Sequence, residues 1–507
     1  MNEKPFVPYK YKNPGSKSGQ TRLEHYYPAM TQVAGLDPTQ QRAMDSAMRG
    51  ESIFLTGPGG CGKSYTVGKI VTRLREMGKR VRVTSTTGVS AILLGLGATT
   101  VHMLFAMGDV GDKPAETYVN KLKAPFYKKV HDMLVALDVL IIDEISMLLN
   151  GMFYKIDLIL RSLRPNGRPF GGVQLICSGD FAQLPPIYQN IPGNESKKRK
   201  TPSYEEIVAN ADRRPLFQTD TWTRAGIQPI LLDVDHRQSK DPAYAALTKR
   251  ARLNQMTTAD VNLLKTRELT RTCHPNAGDD VAYLFSTNAA VDDMNASKMR
   301  ELDPATEVTF EAIYDIRATI PVAPFNSTLP QDERPPKQSE IEVLAHAFMN
   351  KNRADPEFRL RTGARVMLLS NLDVERGLGN GTLGHVVGFR DSGRDDFPRI
   401  PLVQFSGVQG ITAVQPQTWK FEDNGTWEGS YTQIPLTLAW AVTIHKSQGA
   451  TLSNVIAELR ASSVRSRGAG YVAISRVPSF ANIWFTCFEQ ASIFADPEVV
   501  RWLLSMA

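Results

Sequence analysis

The sequence predicts an α/β protein with two regions of parallel sheet covered by helices, the second interrupted by a small β-rich segment. Three observations carry this. Short apolar runs alternate with amphipathic stretches from Leu36 to about Leu232, as expected for strands that crossover helices bury on both faces. The alternation starts again near Val281 and resumes after about Gln433. Between these parts, residues 363–431 carry short strand patterns broken by Gly and Asn turns, which read as a β-barrel-like insertion.

The elements follow in order. Residues 1–30 are polar, with Pro5, Pro8, Pro14, Gly15 and Gly19, and read as a flexible or loosely docked extension, a solvated tail rather than a targeting signal. Strands are expected at 52–55, 81–84, 139–142, 174–177 and 229–232 in the first region, and at 282–285, 454–457 and 482–485 in the second. The insertion offers strands at 365–369, 384–389 and 401–405. Two stretches read as loops: 190–205, and the proline-rich 321–337. The quartet Lys197-Lys198-Arg199-Lys200 in the first fits a solvated loop better than a nuclear address or a phosphate contact, though all three stay open.

Bulk composition narrows the function classes. With 507 residues, 42% of them hydrophobic, the chain can bury several cores. A net charge of +7 suits a polyanionic partner without requiring one. No apolar run reaches the roughly 20 residues of a membrane span, and the first residues lack a signal peptide's apolar stretch. Cys61, Cys177, Cys273 and Cys487 are scattered, without a Cys-x-x-Cys pair, so a reducing compartment with neither disulfide framework nor structural zinc is expected.

The chemistry begins at Gly57-Pro58-Gly59-Gly60-Cys61-Gly62-Lys63-Ser64, between an expected strand and the helical pattern Val67, Ile70, Val71, Leu74. Glycines let backbone N–H groups surround phosphates, Lys63 reaches the β/γ-phosphates of ATP, and Ser64 offers its hydroxyl to Mg²⁺. The acids Asp143 and Glu144 end an apolar strand; Asp143 is assigned to the metal and Glu144 to the attacking water. Further on, Gly179-Asp180-Phe181-Ala182-Gln183-Leu184-Pro185-Pro186 brings Gln183 within reach of the γ-phosphate or its water.

In this order the blocks resemble the superfamily-one helicases of the 5′-to-3′ branch, and within it the PIF-one family rather than its RecD and Dda sisters. The resemblance rests on residues 84–91 followed by Thr100-Val101-His102, on 169–176 before Gly179-Asp180, on 363–369 with 378–381, and on Thr443-Ile444-His445-Lys446-Ser447-Gln448-Gly449. It spans about 36–485 and implies two RecA-like P-loop motor domains, at 31–235 and at 236–362 with 434–507. It also implies a wedge-type insertion at about 105–128 and an SH3-like β-barrel at 363–433.

It further implies that Gln40 reads adenine, with Gln41 leaving the register open by one, and that Gln448 and Gly449 join the nucleotide site. Arg237 and Arg476 become arginine fingers, each worth about 10³ to 10⁵ in rate. Single-stranded DNA contacts would come from Thr86, Thr87, His102 and Phe105 in the first lobe, and from Thr287, Asn288, Thr443, His445 and Lys446 in the second. For His102 and Phe105, core packing is an equal alternative. Two departures stand out: Ala469-Gly470 precedes Tyr471 where the family often has Gly-Gln, and Asp235-His236 replaces an apolar-aromatic lead into Arg237.

The expected activity is therefore ATP-dependent unwinding of duplex DNA by a motor moving 5′ to 3′, with single-stranded DNA and duplex junctions as partners, alongside other replication or recombination proteins. A nucleotide-gated clamp within a larger complex is the competing class. A small-molecule kinase would leave the second lobe without a role.

Overall fold

The computed structural model describes residues 35–507 except 87–89, 92–93, 95, 108–113, 187–212, 271, 276–280, 319–338, 340–341, 343–354, 371, 374–375, 377, 380, 424–426 and 507. Thr87, the 1–30 extension, the basic quartet and the proline-rich loop lie outside the described residues.

The first unit is a six-stranded sheet of β1 (Ile53–Thr56), β2 (Val81–Ser85), β3 (Thr99–Thr100), β4 (Val139–Asp143), β5 (Gln174–Ser178) and β6 (Gln228–Leu231). Their order is β3-β2-β4-β5-β1-β6 and every pair is parallel. Side chains alternate across it with the period of two that a strand imposes. Ile53, Leu55, Val139 and Ile141 pack on one face with Val67, Ile70 and Val71 of the helix Lys63–Glu76. Phe54, Leu140, Ile142 and Leu175 pack on the other with the helix Asn150–Leu163. Each such buried side chain contributes about 1.5–3 kcal/mol. The described part of 105–128 joins this second face: the helix Ala115–Lys123 buries Tyr118, Val119 and Leu122 there.

The second unit has four parallel strands, in the order Ala441–Thr443, Val281–Phe285, Asn454–Leu459, Ile483–Phe488. Its core includes Tyr244, Leu247 and Ala251 of the helix Pro242–Arg252, and Tyr471 to Ile474 of the helix Ala469–Ile474.

The β-rich part is an antiparallel sheet ordered Ile411–Ala413, Arg399–Phe405, Leu383–Asp391, Arg365–Leu368, Leu436–Leu438. Its core also draws in Phe310, Phe358 and Leu360 from the antiparallel pair Val308–Glu311 and Glu357–Leu360, upstream of residue 363. A separate three-stranded sheet joins Gln417–Asp423, Trp427–Gln433 and Ile313–Ala318.

One expectation is overturned. The sequence pattern places 434–507 wholly in the second region, yet the helix Pro497–Leu504 buries Val499 and Leu503 in the first unit's core. Trp502 stacks on Phe217 with centroids 4.0 Å apart and rings 6° from parallel. An amphipathic helix docks wherever a matching apolar face is offered, and here the aromatic group of Phe54, Phe181 and Trp222 offers it. No described helix is long and apolar enough to cross a membrane.

Candidate active site

The phosphate loop leaves β1, which is buried on both faces, at the carboxyl edge of the sheet, where open parallel sheets bind ligands. The helix Lys63–Glu76 starts behind Gly62 with no side chain capping its first turn, so its N–H groups face outward for an anion. The Lys63 ammonium donates to the carbonyls of Gly57 at 2.8 Å and Pro58 at 3.0 Å. A phosphate placed there would replace those neutral acceptors with charged ones. Burial pushes the Cys61 thiol up and keeps it protonated.

Asp143 and Glu144 follow at the end of β4, both buried. Burial and the neighbouring Glu144 carboxylate raise the Asp143 pKa, because two carboxylates in a dry site resist sharing charge. Glu144 itself is in the left-handed region, φ 51° and ψ 39°, which turns the chain sharply after the strand. Its side chain accepts from the Gln448 amide at 3.0 Å, and Thr86 donates its hydroxyl to the Glu144 carbonyl at 3.1 Å. Near this edge, at the end of β1, the Thr56 hydroxyl is buried with no hydrogen-bond partner among the described residues. Hydroxyl and carboxylate oxygens are the donor set of a hard divalent cation, so by side-chain chemistry Ser64 and Asp143 are of the types that suit Mg²⁺.

Two cations reach this loop, Arg237 on the crossover after β6 and Arg476 from the second unit. A Cβ at Gly59 would lie 3.1 Å from Arg476 Nη2 and 3.4 Å from Arg237 Nη1. Arg476 is 1% exposed, and burial together with Arg237's charge lowers its pKa to about 9, leaving it protonated at neutral pH. It is held by Nε donating to Val472 O at 2.9 Å and Nη2 to Ser475 Oγ at 2.7 Å, while Arg237 Nη1 donates to Ser475 O at 2.7 Å. Two guanidinium groups converging on a phosphate loop favour an anion between them.

On the other side of the loop, Asp37 caps the helix Pro38–Met48 in a capping box with Gln40. Gln40 is 1% exposed, and its Nε2 lies 3.3 Å from His236 Nε2. Gln41 points outward to Asp45 at 2.8 Å. The two glutamines differ in orientation: Gln40 faces the loop, where a Cβ at Gly62 would be 2.6 Å from its amide nitrogen. His236, in the departure Asp235-His236, packs against that glutamine and also lies 3.3 Å from Asp37 Oδ2.

Gln183 is buried, its amide donating to Asp180 Oδ2 at 3.4 Å. Gly449 follows Gln448 with φ 82°. The expected strand contacts fall at the carboxyl edges of both sheets. Thr86 follows β2, and His102 sits half-buried on the helix Val101–Leu104 after β3. Thr287 caps the helix Asn288–Arg300, Thr443 ends its strand next to Phe285, and half-buried His445 leads to exposed Lys446. Burial lowers the His445 pKa, so it is neutral at pH 7. Phe105 is a correction: it is 0% exposed inside the first core and stacks on no base from there.

Sequence reasoning missed three participants. The Tyr471 hydroxyl accepts the Gly59 N–H at 2.8 Å across the cleft. Gln238 pins the Arg237 loop by donating to Val477 O at 3.1 Å and accepting from Thr248 Oγ1 at 2.8 Å. Arg252 pairs with Asp180. Tyr471 and Gln238 each adjoin a quoted motif, the one local hint available; Arg252 has none.

Residues 36–204 match the family described as PIF1-like helicase, and 347–389 match the DNA helicase Pif1 2B domain. The chain is 30% identical to an ATP-dependent DNA helicase Pif1 from a Psychrobacter species, over 90% of this chain and 69% of that protein. It is 29% identical to the ATP-dependent DNA helicase PIF1 of Emericella nidulans over 95% of this chain, but spans only 64% of that relative's length. The crystal structure of Pif1 helicase from Candida albicans superposes with a TM-score of 0.76 at 27% identity, covering 94% of this chain and all of that one. A Bacteroides Pif1 in complex with ADP-AlF3 and single-stranded DNA gives 0.68 at 25% identity, covering 93% and 97%.

Proposed function

The chain belongs to the PIF1-like helicase family, and on that premise we propose that it is an ATP-dependent DNA helicase translocating 5′ to 3′ on single-stranded DNA. The observation that carries the reading is the convergence of Arg237 and Arg476 on Gly59. Two cations meeting at a phosphate loop, one on the crossover between the units and one from the second unit, are what a cleft that closes on its nucleotide requires.

In this reading both parallel-sheet units are RecA-like motor domains, and the five-stranded sheet is an SH3-like insertion whose β-rich surroundings begin near residue 308. Gln40 reads adenine, Lys63 and the loop N–H groups bind the phosphates, and Glu144 orients the attacking water and takes its proton. Ser64 and Asp143 hold Mg²⁺, which when bound neutralises charge on the β- and γ-phosphate oxygens. Gln183 contacts the γ-phosphate, and the two arginines stabilise the charge that develops on the transferred group. Thr86, Thr87 and His102 on one unit, with Thr287, Asn288, Thr443, His445 and Lys446 on the other, grip the strand alternately as ATP favours the closed state. The likeness to a Pif1 solved with ADP-AlF3 and single-stranded DNA supports both ligands. Four free cysteines fit a reducing compartment. Replication or recombination proteins are the further partners such a motor would serve.

The test compares ATP-driven unwinding of 5′-tailed and 3′-tailed duplexes by the wild type, Lys63→Ala and Glu144→Gln. Unwinding confined to the 5′ tail and abolished in both variants is expected. Preference for the 3′ tail would overturn the polarity. Strand-stimulated ATPase without unwinding of either substrate would favour a nucleotide-gated clamp.

A further inference from the structure

The carboxylate of Asp180 is 0% exposed, and the cation that neutralises it comes from the other unit. Arg252, the last residue of the second-unit helix Pro242–Arg252, donates Nε to Oδ2 at 3.0 Å and Nη2 to Oδ1 at 2.9 Å. Its own side chain is 4% exposed. The same two oxygens accept the Ala182 N–H at 3.1 Å and the Gln183 amide at 3.4 Å. A two-point guanidinium–carboxylate contact fixes orientation as well as distance, so Arg252 sets the plane of the carboxylate that holds Gln183.

The flanking residues divide between the units. Leu184 is buried in the second unit's core. Gly468 presses on the same segment, since a Cβ there would lie 2.3 Å from Gln183 O and 2.5 Å from Ala182 O. Phe181 turns the other way, its ring 5.2 Å from Phe54 and 5.7 Å from Trp502 in the first unit's core. Beyond Arg252, the helix is tied to the cleft's cations: Tyr244 donates its hydroxyl to Ile474 O at 2.7 Å, two residues before Arg476.

We propose that Arg252 is a positioning residue through which the second unit controls Gln183, making hydrolysis depend on how that unit is engaged by the DNA strand. This rests on the reading of Gln183 as the γ-phosphate contact. Burial opposes the ionised form of Asp180, but the Arg252 guanidinium, with Lys63 and the Ala182 N–H, outweighs it, so the carboxylate stays charged and acceptor-only. It is then available to the Gln183 amide wherever the pair is formed.

The experiment uses the full chain with Arg252→Lys, which keeps the charge and loses the fork, and the neutral pair Asp180→Asn/Arg252→Gln, which leaves no unpaired buried charge. In Arg252→Lys the strand-stimulated kcat should fall about 10-fold while KM for ATP and Kd for single-stranded DNA change less than about 2-fold. The ratio of ATPase with and without strand should move towards one. Because Arg252 acts through Gln183, adding Arg252→Lys to Gln183→Ala should lower kcat no further. The neutral pair should show the same loss of stimulation with its melting transition retained. Undiminished stimulation, additive effects with Gln183→Ala, or loss of fold in both variants would overturn the proposal in favour of a purely structural pair. Lys63→Ala separates the two levels: if it still hydrolyses ATP, the motor reading fails; if it is inactive while Arg252→Lys is stimulated normally, only the role of Arg252 fails.

Discussion

The Gln448 amide donates to a Glu144 carboxylate oxygen over 3.0 Å, joining two buried side chains from opposite units. Gln448 Oε1 accepts no hydrogen bond from a described residue. With Nε2 engaged by the carboxylate, that oxygen is left to accept a hydrogen bond from the attacking water whose proton, in the proposed mechanism, goes to Glu144. Gln448→Ala should lower kcat about 10- to 100-fold with a small change in KM, measured by steady-state ATPase at saturating DNA. Gln448→Glu, which sets two carboxylates against each other, should be worse.

Gly468 has φ 75° and packs on the Ala182 and Gln183 carbonyls. Gly468→Ala adds a left-handed penalty of about 1–2 kcal/mol to a backbone clash that only separation of the units relieves. ATPase should drop at least about 10-fold, while ATP-independent DNA binding by the separate strand contacts remains measurable in a filter or anisotropy assay.

Leu503 is 4% exposed in the first unit's core although it follows the second unit in sequence. Leu503→Ala should cost about 2–5 kcal/mol, read as a fall in the urea midpoint. The near-ultraviolet signal of Trp222 and Trp502 should be the first to change. A loss confined to the second unit's transition would contradict the docking.

Phe105→Ala should behave as a core truncation, costing about 3–5 kcal/mol, and the folded fraction should bind single-stranded DNA with wild-type affinity. A tenfold weaker Kd without destabilisation would restore the base-stacking role that its burial argues against.

Asp260 is held by the Arg250 guanidinium and by the cap of the helix Thr258–Lys265, and its pKa falls from 3.8 to about 2. A folded pKa below the unfolded one stabilises above the unfolded value and is lost as pH drops through the folded one. Asp260→Asn should therefore cost about 1–2 kcal/mol at pH 7, and the gap between mutant and wild-type urea midpoints should begin to close below about pH 4 and vanish towards pH 2.

What could be read in advance followed the range of each interaction. Lys63, Asp143 and Glu144 sit where a strand, a tight turn and a helix follow one another within a few residues, so their spacing alone carries the site. The parallel strands were legible for the same reason, being short apolar runs buried on both faces. Gly59 and Tyr471 are 412 residues apart, and no local pattern announces that a tyrosine will close on a glycine N–H. Arg252 looks in sequence like one more basic residue at a helix end. Phe105 misled because an apolar ring in a motif reads alike whether it meets a base or a core. The amphipathic stripe of the last helix was visible, but the choice between two apolar faces was made by Phe217 and its aromatic neighbours, far upstream.

The helix Pro497–Leu504 also changes how the two units are able to move. The chain passes between them once after β6, between Leu231 and Pro242, and a second time between Phe488 and Pro497. A body attached at one point can swing in any direction; attached at two, it turns about the line that joins them. The two connections together restrict how the units separate more than either would alone. Fluorophores at exposed Leu504 and at exposed Lys446 would ride on opposite units, and their separation would follow the swing directly.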